Sequence, residues 1–326
     1  MPHSTTKERF IGLSPPNGWE QATVKADGTL HGAKRIWFTG TEQLKMVIQY
    51  VDGKRHGPCE AWHPNGQTRT AGTFTNDEPS GSWISHYPSG ATLQRWSYID
   101  GKVSGDIDSY YEEGTLGQRS RWAEGQLNGE TLVYFEDGSM AARIPYLAST
   151  IHGTAEHWLI NGQRHRRLKY EHGSQTGLSQ LWYQTGQLCS EGHFENNLPE
   201  GHWTFWMING QKEAEGTLRQ GIREGQWTFW HQTGQMERVG TYTSGIPSGL
   251  HQLWNFFGVA SEETEADREQ KIKEASHRHL KLFKGQSNLN VSAANPAFPV
   301  DLQHGSPNVH ADPTVLVCEH HPDEFR

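Results

Sequence analysis

The chain has 326 residues, 33% of them hydrophobic, with 36 glycines, 13 tryptophans, 10 tyrosines and 12 phenylalanines, and a net charge of −8. Apolar content carried by aromatics and glycine predicts short strands joined by tight turns. The acidic balance argues against nucleic acid bound through its phosphates and against an anionic membrane surface.

Residues 1–26 read as an N-terminal extension. The opening MPHSTTKERFIGLSPPNG lacks the apolar core of roughly 7–15 residues that a secretory signal needs. No stretch of the chain approaches the ~18 apolar residues of a membrane span. Cys59, Cys189 and Cys318 lie far apart and outside any Cys-x-x-Cys, which suits a reducing compartment better than a disulfide framework. Together these features predict a cytoplasmic protein.

Residues 27–258 read as a repeat array. Glycines stand every 24 residues at Gly57, Gly81, Gly105, Gly129, Gly153, Gly177, Gly201, Gly225 and Gly249, with Gly32 one residue out of step. A second glycine follows each of the nine by nine residues, from Gly66 to Gly258. Five residues after the first glycine stand Trp37, Trp62, His86, Tyr110, Tyr134, Trp158, Trp182, Trp206, Trp230 and Trp254. Another column runs through Phe74, Tyr98, Trp122, Tyr146, Tyr170, Phe194, Leu218 and Tyr242, and further glycines recur as Gly53, Gly101, Gly125, Gly173, Gly221 and Gly245. Each unit therefore reads as strand, turn, strand, turn, with both glycine ladders taken as turn residues. Asn65-Gly66, Asp137-Gly138 and Asn161-Gly162 signal hairpins whose central residues need positive φ. One hairpin is marginal alone, so the units must stack. The predicted fold class is all-β: an elongated single-layer antiparallel sheet of about ten tandem 24-residue hairpins. The basic run Arg164-His165-Arg166-Arg167-Leu168-Lys169 then falls inside one repeat and reads as a solvated strand face.

Residues 259–284 read as a capping helix, with Ser261 as N-cap and Ile272, Ala275, His279 and Leu282 on one face. Residues 285–326, with prolines among Ser, Asn and Asp, read as a disordered tail.

The paired glycines, the aromatic at the fifth place and the turn Gly-Gln resemble MORN repeats; GHWTFWMINGQKEAEGTLRQGIREG, from Gly201 to Gly225, is a good local example. The variant is similar to bacterial YwqK-type proteins, described as antitoxins. The resemblance covers residues ~27–258 and departs from the pattern at His86, Leu218 and Ser149. It implies a stacked antiparallel sheet that serves as a protein-binding scaffold, with a toxin as the partner if the subfamily holds. It supplies no catalytic residues.

No dinucleotide fingerprint, P-loop, His-Glu-x-x-His or Gly-x-Ser-x-Gly is present. Cys318-Glu319-His320-His321 with Asp323 resembles a soft-metal clip, but it falls in the tail, so no metal and no cofactor is assigned. The expectation is a protein that is not an enzyme. The units at Gly201 and Gly225 both read Gly-x-Trp-Thr-Phe-Trp, which places aromatics on both strand faces. Trp203, Phe205, Trp206, Trp227, Phe229 and Trp230 are the candidate contact residues for a protein partner, and the acidic surround suits a basic one. A carbohydrate or lipid binder using the same rings is the first alternative. A hydrolytic enzyme built from scattered histidines and acids is the weaker second.

Overall fold

The structure, a computed structural model, describes residues 9–13 and 20–262. Among them are 24 strands and no helix, and every described strand pair is antiparallel. The chain divides into two compact units: Met1–Gln163 with Tyr170–Gly173, and Arg164–Lys169 with Ser174–Arg326.

In the first unit the strand Lys54–Trp62 shows how the repeat folds. It pairs with Thr68–Thr75 so that Gly57 faces Phe74 and Trp62 faces Thr68. The intervening turn is closed by the His63 amide donating to the Gln67 carbonyl (2.8 Å) and the Gly66 amide to the His63 carbonyl (2.9 Å). Gly66 has φ 85° while Asn65 stays outside the left-handed region. This is a three-residue turn with a glycine bulge, not the two-residue mirror-image turn that Asn-Gly suggests. The mirror-image turns lie at the opposite end of the hairpin. Asn76 and Asp77 have φ 51° and 74°, and Gln220 and Gly221 have 51° and 79°. Two positive φ values in succession match the strand twist there. Asn and Asp manage this without glycine because their side chains tolerate the left-handed region.

The first glycine ladder is not made of turn residues, which corrects the sequence reading. Gly201 and Gly225 lie inside the strands Leu198–Trp206 and Ile222–Trp230 with φ 75° and 70°. On the partner strand, Gly216 faces Trp227 while the next residue, Thr217, faces Glu224, so Gly225 and Gln226 are extra. The glycine permits a β-bulge, which bends the strand and breaks the ladder locally. At the break the Trp227 indole donates to the Thr217 carbonyl (3.0 Å), and the Trp203 indole to the His193 carbonyl (3.1 Å). The tryptophan ring thereby lies flat across the neighbouring strand. A Cβ built on Gly216 would sit 2.4 Å from the Trp227 ring, and one on Gly192 would sit 2.1 Å from Trp203. Glycine is required at those two positions by contact rather than by φ.

Each unit has its own core along this side of its strands. In the first, Trp83 stacks on Trp96 (6.1 Å) and meets Phe74 edge-on (5.2 Å). In the second, Phe194, Trp203, Phe205, Trp227, Phe229, Tyr242 and His251 form a run of rings 5.4–6.3 Å apart. Guanidinium groups close over it: Arg223 lies 4.9 Å from the Trp227 ring centre, and Arg238 lies 4.1 Å from that of Phe229. Their flat faces cover the rings and add a cation–π attraction.

Strands continue past the range read as the array. Arg9–Leu13 pairs with Glu20–Val24, which pairs with Leu30–Trp37, so strands already lie within 1–26. At the other end Ala260–Glu262 is a strand on Gln252–Trp254. Ser261 is therefore a strand residue and not a helix N-cap. The rest of the proposed capping helix, the tail and the Cys318 cluster lie outside the described residues.

Candidate partner-binding face

The six candidate aromatics divide by face. Trp203 and Trp227 are 0% and 1% exposed, and Phe229 is 9% exposed. Phe205 packs against the same cluster. Trp203, Trp227 and Phe229 are core, which corrects the reading that put them at a contact surface, since an indole laid across a neighbouring glycine has no face left to offer; Phe205 is partly buried against them. Trp206 and Trp230 are half-buried and point to the opposite side, as alternation along the strand requires.

On that side the aromatics of the fifth column form a row. In the second unit Trp182 faces Leu188, Trp206 faces Lys212, Trp230 faces Met236 and Trp254 faces Ala260. In the first unit Trp37 faces Leu44, Trp62 faces Thr68, Tyr110 faces Leu116 and Tyr134 faces Met140. These rings are half-buried; Arg164 lies 5.5 Å from the centre of Trp182 and Lys212 5.4 Å from that of Trp230. The residue after each ring locks successive repeats together. The Tyr87, Tyr111 and Tyr183 hydroxyls donate to the Tyr110, Tyr134 and Trp206 carbonyls at 2.7–2.8 Å. His63 and His231 reach the His86 and Trp254 carbonyls at 2.9 Å.

Charge on this face differs between the units. In the first, Arg119 makes a paired contact with Asp108 (2.7 Å at both oxygens), and that bond raises the guanidinium further above its ordinary range. In the second, Glu191 and Glu215 stand across from Thr204 and Thr228 beside the indoles.

The row in the second unit ends on an apolar patch. Phe256 is 53% exposed, Phe257 81%, Val259 60% and Met236 38%. The Phe257 position, second in its turn, is Asn65, Ser89, Glu113, Asp137, Asn161, Thr185, Asn209 or Thr233 in the other repeats. The Val259 position is elsewhere Gln, Ala, Thr or Ser, as at Gln67, Ala91, Thr115 and Ser139. Aligning the turns by the 24-residue period shows this exception, which the strand columns do not.

No three His, Cys, Asp or Glu side chains among the described residues are grouped to hold a metal ion. Cys59 and Cys189 are buried free thiols, and burial pushes the Cys59 thiol up to about 11, far from a reactive thiolate. No helix among the described residues is long and apolar enough to cross a membrane.

Fold and face define a β-repeat protein with one packed side and one side of half-open rings. Residues 175–196 and 223–243 match the model of the MORN repeat variant family, so these two segments are repeats of that type. No curated protein matches the chain. Among solved structures, chains in the crystal structures of TcdB2-TccC3-Cdc42 and TcdB2-TccC3 are each 11% identical, with TM-scores of 0.18 and 0.20. The matches cover 82% and 78% of this chain but only 16% and 15% of those chains.

Proposed function

We propose that the chain is a non-catalytic scaffold that binds another protein through the indole row of the second unit and the patch where it ends. One observation carries this: Phe257 is 81% exposed at a turn place that is polar in the preceding repeats, and it stands beside the exposed Phe256 and Val259, whereas the place of Phe256 is also apolar at the exposed Ile160 and Ile208. Contiguous exposed apolar groups mark interaction sites, and aromatic side chains are the usual anchors of such sites. The net charge of −8 favours a protein over a polyanion as the partner. Two buried reduced thiols are in keeping with a cytoplasmic setting. Neutralisation of a toxin by covering its surface would use the same face; that finer reading rests on the YwqK-type resemblance.

The test gives the last turn the polar residues of its neighbours, as Phe256→Gln with Phe257→Asn. The wild-type chain should retain a stoichiometric protein from its native extract, identified by mass spectrometry, and the variant should lose it without a change in melting temperature. Equal retention by both would refute the proposal.

A further inference from the structure

The second unit holds a cation on this face. Lys212 places its Nζ 5.4 Å from the centre of the Trp230 ring and 2.5 Å from Glu215 Oε2. Moving back by one 24-residue repeat, the same three places hold Leu188, Glu191 and Trp206. The carboxylate and the indole recur there; the cation does not. Glu191 takes its hydrogen bond from the amide of Gln180 (2.7 Å). No cation lies over Trp206 among the described residues. Moving forward by one repeat gives Met236, Val239 and Trp254, where cation and carboxylate are both replaced by apolar groups. Two repeats back the places hold Arg164, Arg167 and Trp182, with Arg164 5.5 Å from the ring centre, so among the described repeats of this unit the carboxylate is kept without its cation at Glu191 and Trp206.

We infer that Glu191 and Trp206 receive a lysine or arginine side chain from a basic segment of the bound protein, in the way Lys212 occupies Glu215 and Trp230. This rests on the protein-binding reading and names what the partner presents. A carboxylate neutralises the incoming charge, and the open indole face attracts it through the ring quadrupole. The described residues of this unit hold Glu191, Glu195, Glu200, Glu213, Glu215, Glu224, Glu237 and Glu262 and, in equal number, Arg164, Arg166, Arg167, Lys169, Lys212, Arg219, Arg223 and Arg238, so the choice of a basic ligand rests on the Glu191 carboxylate and the Trp206 ring and not on the charge of the unit.

The test uses a fluorescent twelve-residue peptide of Lys-Gly-Ser repeats, its acetyl-lysine counterpart, and the full chain. Anisotropy should show salt-sensitive binding of the lysine peptide and none of the acetylated one. Glu191→Gln and Trp206→Ala should each weaken binding about tenfold. Leu188→Lys supplies the cation internally, on a pattern the fold already carries at Lys212, and should block the peptide with the melting temperature unchanged. Equal binding of both peptides, or lysine-peptide binding unaffected by Leu188→Lys and Glu191→Gln, would overturn the inference. If Phe256→Gln with Phe257→Asn abolishes capture of the native partner while Leu188→Lys leaves it intact, this inference falls and the protein-binding reading stands.

Discussion

The two units fill the same core positions with different mixtures of residues. In the second, Trp203 and Trp227 stand two places after the strand glycine with Gly192 and Gly216 across from them, while Ser179 and His251 take that place in the repeats on either side. In the first, Cys59 faces Ile48 and Thr131 faces Ser120, with Trp83 over Gly72 as the local exception. Where the ring is large, as at Trp227 and Trp83, the strand beside it supplies a glycine to lie against, whereas Thr131 and Ser120 fill the same places with two small residues. This is jigsaw packing operating between strands 24 residues out of phase with the next pair.

That comparison can be broken at its larger member. Trp227→Ala empties a fully buried site and should cost about 4 kcal/mol in chemical denaturation, whereas Trp206→Ala on the half-open side should cost well under half as much. Overfilling is nearly as severe. Gly216→Ala drives a methyl group into the Trp227 ring and should cost about 3 kcal/mol. Gly225→Ala meets nothing within 4 Å and strains only a φ of 70°, so about 1 kcal/mol is expected there. A swap sharpens the point. Installing the Ile48 and Cys59 pair as Gly216→Ile with Trp227→Cys should be less destabilising than the sum of the single changes by at least about 2 kcal/mol. Simple additivity would show that the facing volumes are independent.

Smaller effects separate the stitching between repeats from the core. Tyr183→Phe removes one hydroxyl bond to the Trp206 carbonyl and should cost about 1 kcal/mol by thermal denaturation. His165, whose pKa burial lowers to about 4, gives a dependence on pH. The unfolded chain binds a proton near pH 6.5 that the folded chain resists until about 4. Stability should then be complete above 6.5 and decline as pH falls toward 4, and His165→Gln should flatten that segment of the curve. An unchanged slope in the variant would assign the acid sensitivity to other groups.

Much of the fold was legible because glycine at a fixed period has few explanations: the strands, their antiparallel pairing and the columns all follow from it. The turn types were read the wrong way round. Asn65-Gly66 looks like a two-residue turn, and only the register of Trp62 with Thr68 shows the extra residue. The core column two places after the glycine was invisible as a column, because Cys59, Trp83, Ile107, Thr131, Trp203 and His251 share no property until each is set beside the residue it faces. For the same reason Trp203 and Trp206 could not be told apart in Gly-x-Trp-Thr-Phe-Trp. The bulge at Gly201 decides which ring is laid down and which is left open.

The division between those two rings is tested most directly by oxidative footprinting of the chain with and without the partner captured from its native extract, read residue by residue. Trp206, Trp230, Phe256 and Phe257 should be labelled in the free protein and protected in the complex, while Trp203 and Trp227 stay unlabelled in both. Protection confined to other residues, or labelling of Trp203 in the folded free chain, would contradict the account.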